Sequence, residues 1–269
     1  MLGRCWTELL TARGVDHVST TLAELDITDP SALERFVTVG TRWVVNCAAY
    51  TLVDAAEKHE DLANEVNGYA VGRMAERCKA VGAKLLHYST DYVFDGTRTE
   101  PYATNHPRIP VNAYGRSKAL GEELIERSGV EHLLVRSSWL YAPWGKNFVL
   151  TIRELAKARQ SLRVVDDQRG RPSDSQKLAE VSLALANRGS RGVFHVTDGG
   201  ECTWFDLATL IGQVVNPDCK VEPCTSAEFP LPAPRPQYSV LDVSKTEDLV
   251  GPLIPWEDRV REVLARVED

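Results

Sequence analysis

A tyrosine and a lysine stand at a spacing that suits proton transfer to a carbonyl oxygen. Tyr114 and Lys118 lie four residues apart in a segment, 113–128, whose pattern predicts a helix. Positions four apart share one helix face, so the phenol and the ammonium can converge on one point. A nearby cation favours the phenolate and lowers the pKa of a tyrosine, which suits acid–base work. Because the same spacing also occurs on solvated helices, the pair needs further support.

A second candidate follows an apolar run, residues 84–89, that predicts a strand. The run leads directly into Ser89, Thr90, Asp91 and Tyr92. Open α/β sheets bind ligands at the carboxyl ends of their strands. There the Thr90 hydroxyl could donate a hydrogen bond to a carbonyl oxygen as negative charge develops on it. Alternatively, Ser89 and Thr90 only shape a turn.

A third candidate, Asn46-Cys47-Ala48-Ala49-Tyr50, ends another apolar run that begins at Trp43. Small residues at a strand end allow a flat or phosphorylated ligand to approach the backbone. The same residues would also suit close packing of a helix on a strand, and the pattern alone does not separate these interpretations.

The elements that would position these residues alternate along the first part of the chain. Strands are predicted at about 16–20, 43–48, 84–89, 132–137 and 192–196, and helices at 5–13, 30–37, 57–81, 113–128, 176–187 and 256–267. Strands separated by helices of this length indicate βαβ units and a parallel sheet. Beyond residue 139 the pattern is less regular. Residues 170–173 predict a loop, and six prolines between Pro217 and Pro236 predict an extended loop.

Composition narrows the class of protein. The 269 residues carry a formal net charge of -7, which gives no electrostatic reason to expect nucleic acid or an anionic membrane as a partner. The six cysteines form no CxxC pair, so a scattered set of reduced thiols in a cytoplasmic protein is expected. Cys219 and Cys224 are near enough in sequence to leave a metal or disulfide interpretation open. No apolar run reaches the ~20 residues of a membrane span.

Together the motifs resemble the extended short-chain dehydrogenases, and among them the dTDP-4-dehydrorhamnose reductase family. The resemblance covers nearly the whole chain. It rests on Leu25–Asp29, Asn46–Thr51 with Val53-Asp54, Val66-Asn67, Ser89–Gly96, Tyr114–Lys118, Arg136–Tyr141, Asn147-Phe148, Asp167–Pro172, Gly192–Val196 and Arg235–Asp242. It implies an α/β fold with a Rossmann-like, doubly wound parallel sheet. The cofactor lobe would span 1–138 and about 176–197, and a smaller, irregular substrate lobe about 139–175 and 198–269.

The resemblance also implies NAD(P)H-dependent reduction of the 4-keto group of a nucleotide sugar, most closely dTDP-4-dehydro-L-rhamnose. Tyr114 would protonate the C4 oxygen, Lys118 would hold the ribose hydroxyls, and Thr90 would polarise the carbonyl. Besides Tyr114 and Lys118, the implied cofactor contacts are Gly3, Asp26, Ile27, Ala48, Ala49, Tyr50 and Ser89. The implied substrate contacts are Asp91, Tyr92, Trp139, Asn147 and Arg171.

Some of these roles have plainer alternatives. Trp139 could be a core or interface aromatic residue, Asn147 could only satisfy backbone groups, and Arg171 could be a solvated loop residue. For the cofactor, Ser19-Thr20-Thr21 offers neither an acidic nor a basic side chain after the predicted second strand. NADPH is preferred over NADH because no carboxylate would repel a 2′-phosphate. Mg²⁺ is not indicated and no metal site is predicted.

The sequence departs from the family pattern at its start. Met1-Leu2-Gly3 match the end of a GxxGxxG turn, whereas the strand and the two glycines that precede them in the family are not among these residues. That turn places backbone N–H groups against a pyrophosphate, and its strand is central in the sheet. Two strands are therefore expected to have unpaired edges. A start assigned too late, a segment omitted from the numbering and a protein that binds cofactor poorly all stay open.

Three other functions remain as alternatives. The first is reduction of a different 4-keto nucleotide sugar, because no motif selects the sugar. The second is an epimerase of the same superfamily. The third is a non-catalytic regulatory subunit that resembles the β subunit of methionine adenosyltransferase and binds a protein partner. A homodimer is consistent with the family, as is a monomer.

Overall fold

A parallel sheet between helices forms the framework of the computed structural model, which describes residues 1–267. The strands are β1 (Trp43–Asn46), β2 (Lys84–Thr90), β3 (His132–Ser137), β4 (Leu140–Tyr141), β5 (Ser161–Val165), β6 (Arg169–Gly170), β7 (Ser173–Asp174), β8 (Gly192–His195), β9 (Cys202–Thr203) and β10 (Lys220–Cys224). The helices are α1 (Leu2–Ala12), α2 (Pro30–Phe36), α3 (Val53–Ala56), α4 (Glu60–Asn64), α5 (Ala70–Val81), α6 (Ala113–Ser128), α7 (Phe148–Ala158), α8 (Ser175–Asn187), α9 (Trp204–Val215), α10 (Ser244–Val250) and α11 (Trp256–Ala265).

The main sheet has the order β1-β2-β3-β8, and all of its pairs are parallel. One face packs on α1 and α8 through residues that include Trp6, Leu86 and Leu178. The other face packs on α2 and α5 through residues that include Leu33 and Leu85. Successive strand residues point to opposite faces, so the apolar strands are buried on both sides. The predicted doubly wound fold is confirmed.

Local signals place the ends of several helices where the sequence predicts them. Asp29 caps α2, with its carboxylate accepting the Ser31 N–H, and Pro30 occupies the first helical position. Gly82 ends α5 with a φ of 75°, in the left-handed region that suits glycine. The helix predicted at 57–81 runs without a gap from Glu60 to Val81, as α4, a π turn (Glu65–Tyr69) and α5, and the short helix α3 precedes it.

The prediction of a strand at 16–20 is wrong, because these residues are exposed and unpaired in the structure. A strand needs a hydrogen-bonded neighbour, and β1 forms the sheet edge among the described residues. The prediction of an extended loop from Pro217 to Pro236 is wrong at Lys220–Cys224, which form a strand. Within that stretch β10 pairs with β5, and Pro223 is accommodated because the sheet has only two strands.

The second half is also more regular than predicted. Helices α7, α9 and α11 pack with β5 into a separate hydrophobic core, which contains Ile152, Leu162, Leu207 and Val260. The loop predicted at 170–173 instead contains the ends of two short strands, β6 and β7. Cys219 and Cys224 are both buried free thiols, so they form no disulfide in the structure.

Candidate active site

Helix α6 brings Tyr114 to the polar end of β2. Its start is fixed by Asn112, whose Oδ1 accepts the N–H of Gly115 at 2.8 Å. A Cβ atom on Gly115 would lie 2.1 Å from the carbonyl oxygen of Tyr92. Position 115, directly after Tyr114, must therefore be glycine for α6 to approach the loop after β2 this closely.

Thr90 and Asp91, at the end of β2, lie next to Tyr114. The Thr90 hydroxyl donates to Asp91 Oδ1 at 2.9 Å and accepts the N–H of Tyr92 at 3.2 Å. Asp91 is only 2% exposed. Burial raises the pKa of its carboxyl to about 6, although hydrogen bonds with Ser239 and Thr90 act to lower it. A carboxylate is thus held in a site where its charge is costly.

The electrostatic environment of Tyr114 differs from the prediction. Burial and, to a smaller extent, the nearby Asp91 raise the pKa of Tyr114 to about 12, against a hydrogen bond with Thr90 that acts to lower it. The predicted lowering of this pKa by Lys118 is therefore wrong for the protein as the structure shows it. A phenol kept protonated is suited to act as a proton donor rather than as a base.

Lys118 is buried one helical turn further along α6, with 2% exposure. Its Nζ donates to the carbonyl oxygen of Tyr88 at 2.6 Å and lies 3.3 Å from Nε2 of His87. Burial lowers the pKa of Lys118 to about 8, while Glu122 acts to raise it. The sequence pattern did not single out His87, because a histidine inside an apolar strand resembles any other core residue.

Two asparagines, Asn46 and Asn67, fix the backbone of the segment 47–50 that follows β1. Asn46 Oδ1 accepts the N–H of Ala48 at 3.0 Å. Asn67 Oδ1 accepts the N–H of Tyr50 at 2.8 Å, and its Nδ2 donates to the Tyr50 carbonyl and to Ser117 Oγ. Asn67 lies in the π turn Glu65–Tyr69, a distortion that is frequent at functional sites. Through its bonds with Tyr50 and Ser117, Asn67 therefore joins this segment to α6.

The other predicted cofactor residues are distributed around this segment. Gly3 lies in the first turn of α1, and a Cβ atom there would be 3.7 Å from Cys47 Cβ. The free N–H groups of that turn thus lie beside the segment after β1, an arrangement that fits a pyrophosphate. Asp26 is exposed and accepts hydrogen bonds from Thr28, whereas the Ile27 side chain is buried in the core, so only its backbone can face a ligand.

Aromatic and charged residues flank the opposite side of Tyr114. The Tyr92 ring meets the Tyr114 ring edge to face, with centroids 5.9 Å apart. The Arg235 guanidinium lies 5.9 Å from the Tyr92 centroid and is 3.0 Å from Asp54 Oδ1. The position of Arg235 and Asp54 beside Tyr92 was not predicted, although both residues lie in segments that carry the family resemblance.

Trp139 is held in an unusual conformation just beyond β3. It is the one non-glycine residue with a positive φ, 49°, within residues 1–267. Its indole stacks on Trp204 with centroids 3.6 Å apart, and a Cβ on Gly170 would lie 2.8 Å from the same ring. Because Ser137 is in register with Thr90, the end of β3 lies next to the end of β2. Strain of this kind is concentrated at ligand sites.

Asn147 and Arg171, two of the predicted substrate residues, have well-defined surroundings in the structure. Asn147 caps α7 by accepting the N–H of Leu150 at 3.0 Å, and its Nδ2 donates to Ala142 O at 2.9 Å. Arg171 is half-buried, and burial lowers the pKa of its guanidinium. Substrate contact by these two side chains stays a prediction, as does contact by Asp91, Tyr92 and Trp139.

Within residues 1–267, no group of three or more His, Cys, Asp or Glu residues is placed to hold a metal ion. No helix in the same part of the chain is both long and apolar enough to cross a membrane.

Comparison with known proteins assigns the class. The model of the family described as "RmlD substrate binding domain" matches residues 1–269. The dTDP-4-dehydrorhamnose reductase of Mycobacterium tuberculosis is 40% identical over 273 residues, which cover 98% of this chain and 89% of the relative. The dTDP-4-keto-6-deoxy-D-glucose reductase of Streptomyces niveus is 39% identical, covering 90% and 85%.

A crystal structure of dTDP-4-dehydrorhamnose reductase from Bacillus anthracis in complex with NADP superposes with a TM-score of 0.92 at 35% identity, covering 98% of this chain and 95% of the other. A Rossmann-like sheet with this tyrosine–lysine pair defines an oxidoreductase of the extended short-chain dehydrogenase class. Within that class, the chain belongs to the dTDP-4-dehydrorhamnose reductase family.

Proposed function

We propose that this chain reduces the 4-keto group of dTDP-4-dehydro-L-rhamnose to give dTDP-L-rhamnose, with NADPH as the reductant. The observation that carries the proposal is that α6 brings Tyr114 beside Thr90 and Lys118 against the Tyr88 carbonyl, both at the carboxyl end of β2, in a chain whose residues 1–269 match the family model. The NADP in the Bacillus anthracis structure supports NADPH, as does the lack of a carboxylate at 19–21.

When bound, NADPH supplies the hydride that is added to the C4 carbon. Tyr114 donates its hydroxyl proton to the C4 oxygen, a direction that suits a phenol whose pKa is raised to about 12 by burial and Asp91. Thr90, which is hydrogen-bonded with Tyr114, orients the same oxygen. Lys118 holds the ribose hydroxyls, and the segment Ala48–Tyr50 with the first turn of α1 receives the rest of the cofactor.

The lobes divide these tasks. Residues 1–138 and about 176–197 bind the cofactor, and about 139–175 and 198–269 bind the sugar nucleotide. Tyr92 and Trp139 supply apolar faces for the sugar, and Arg171 supplies positive charge for its phosphates. We further propose that the protein works in the cytoplasm, where nucleotide sugars are made, and that it forms a homodimer.

A second substrate deserves a direct comparison, because the Streptomyces niveus relative carries the name of a dTDP-4-keto-6-deoxy-D-glucose reductase at nearly the same identity. The test is to supply both 4-keto sugar nucleotides separately, follow NADPH oxidation and identify each product by NMR. The proposal requires dTDP-L-rhamnose from the first and a markedly lower kcat/KM for the second. A higher kcat/KM for dTDP-4-keto-6-deoxy-D-glucose would show that this sugar nucleotide is the substrate instead. An epimerised ketone formed without NADPH oxidation would show that the chain is an epimerase and not a reductase.

Binding measurements separate this proposal from a non-catalytic role. Calorimetric titration with NADPH and NADH should give micromolar or tighter dissociation constants, with NADPH the tighter. A chain that binds neither nucleotide, turns over neither sugar and instead captures methionine adenosyltransferase would be a regulatory subunit.

A further inference from the structure

Trp139 adopts a backbone conformation that is strained for any residue other than glycine. Its φ of 49° lies in the left-handed region, where a Cβ atom is crowded by the main chain. Such a conformation persists only where the surrounding structure fixes it. Trp139 follows β3 at the same end of the sheet as Thr90. The contacts that fix Trp139 therefore decide which surface this part of the site presents.

Three hydrogen bonds hold the main chain around Trp139. The Ser138 hydroxyl donates to the Arg171 carbonyl at 2.6 Å, and the Ser173 hydroxyl donates to the Ser138 carbonyl at 2.6 Å. The Ser173 N–H donates to the Trp139 carbonyl at 3.3 Å. Because these bonds tie Ser138 and Trp139 to residues 171–173, the strained φ cannot relax without breaking them.

The indole ring of Trp139 is held separately, by Trp204 and Gly170. The rings of Trp139 and Trp204 stack with their centroids 3.6 Å apart and their planes at 14°. Trp204 is in turn packed by Phe148, the first residue of α7, with centroids 4.4 Å apart. A Cβ atom on Gly170 would lie 2.8 Å from Cε2 and Cζ2 of Trp139. The ring thus occupies space that only a glycine at position 170 leaves open.

We propose that Trp204 and Gly170 are positioning residues that hold the Trp139 ring in one place and so determine which sugar the site prefers. This inference rests on the proposed function, in which Trp139 contacts the sugar. The sugars of dTDP-4-dehydro-L-rhamnose and dTDP-4-keto-6-deoxy-D-glucose belong to the L and D series, so they differ in configuration at C5, beside the reacting carbon. Their C6 methyl groups project to different sides, and an indole fixed in one place can pack against one of them and not the other.

The position of the ring is tested by ¹⁹F NMR of the whole chain labelled with 5-fluorotryptophan, without ligands. The chain has six tryptophans, and Trp139→Phe and Trp204→Phe assign two of the signals by their loss. The ring current of Trp204 shifts the Trp139 signal in a stacked pair, so Trp204→Leu should move this signal toward that of an unstacked indole.

Gly170→Ala should move the Trp139 signal as well, because the three atoms nearest to the added methyl group all belong to the Trp139 ring. The methyl group therefore displaces the ring rather than the backbone. A Trp139 signal that is the same in wild type, Trp204→Leu and Gly170→Ala would overturn the proposal.

The effect on specificity is tested with the same variants on both sugar nucleotides. Trp204→Leu and Gly170→Ala should lower the wild-type preference, measured as the ratio of the two kcat/KM values, by about tenfold. The loss should appear in KM, because the ring contacts the sugar and not the reacting atoms. Trp204→Phe keeps an aromatic face and should retain most of the preference. Trp43→Leu, which removes a half-buried tryptophan outside the site, is the control and should leave the ratio unchanged.

These measurements fail separately from the proposed function. A wild-type ratio in a variant whose Trp139 signal has moved refutes the specificity role alone. Gly170→Ala adds only a methyl group, so it decides both questions even where Trp204→Leu does not fold. A wild-type chain that reduces neither sugar refutes the proposed function, and the specificity role falls with it, whereas the ¹⁹F signals still decide whether Trp204 and Gly170 position the ring.

Discussion

Replacing Asp91 by asparagine should stabilise the protein, and more so at high pH than at low pH. Asp91 is buried next to Tyr114, and burial raises the pKa of the Asp91 carboxyl to about 6 from an ordinary value of 3.8. The folded protein therefore binds this proton more tightly than the unfolded chain does. Stability from this group is present below pH 4 and is lost as the pH rises through 6. Asparagine has no such proton, and its oxygen can still accept from Thr90.

The magnitude follows from the two pKa values. At about 1.4 kcal/mol for each pH unit, the charged Asp91 costs about 3 kcal/mol at pH 8 and roughly half of that at pH 5. The difference in unfolding free energy between Asp91→Asn and wild type should widen accordingly. Because Asp91 also raises the pKa of Tyr114, that tyrosine should titrate at lower pH in the variant.

Urea unfolding followed by tryptophan fluorescence at pH 5, 6, 7 and 8 measures this effect. Asp218→Asn, at an exposed position, is the matched control and should change stability by less than about 0.5 kcal/mol at every pH. A stability difference between Asp91→Asn and wild type that is constant from pH 5 to pH 8, or that shrinks as the pH rises, would refute the reasoning.

Two further substitutions test packing and charge around the site. Gly115→Ala should lower the unfolding free energy by about 1–3 kcal/mol, because its methyl group would lie 2.1 Å from the Tyr92 carbonyl oxygen. Gly3→Ala should not lower it, because its methyl group would be 3.7 Å from Cys47 Cβ, an ordinary contact distance. Glu122→Gln should cost about 3–5 kcal/mol, since Glu122 is fully buried and bound to Arg136 at 2.6 Å. Its exposed neighbour, Glu123→Gln, should cost less than about 1 kcal/mol. Chemical denaturation measures all four, and equal losses within either pair would contradict the respective argument.

The fold around the site could be predicted because its signals are local. Asp29-Pro30 starts α2, Gly82 ends α5, and the apolar run of β2 ends at Thr90. Each feature depends on residues that are neighbours in sequence, so a reading of periodicity and caps recovers them.

Other parts depend on contacts that no local pattern contains. β10 forms only because β5 lies beside it, about 60 residues earlier in the chain, and its proline argued against a strand. Residues 16–20 have strand character but no partner in the structure. Likewise, the pKa of Tyr114 is governed by burial and by Asp91, which its helical spacing from Lys118 does not show.

The most direct test of the proposed reaction is Tyr114→Phe, assayed for reduction of dTDP-4-dehydro-L-rhamnose beside calorimetric binding of NADPH. The hydroxyl alone is removed, so the proton donor is lost while the ring that packs on Tyr92 remains. We expect kcat to fall by about 10²–10⁴ with NADPH affinity changed less than about threefold. A variant that binds NADPH normally and keeps wild-type turnover would contradict the assignment of Tyr114 as the proton donor.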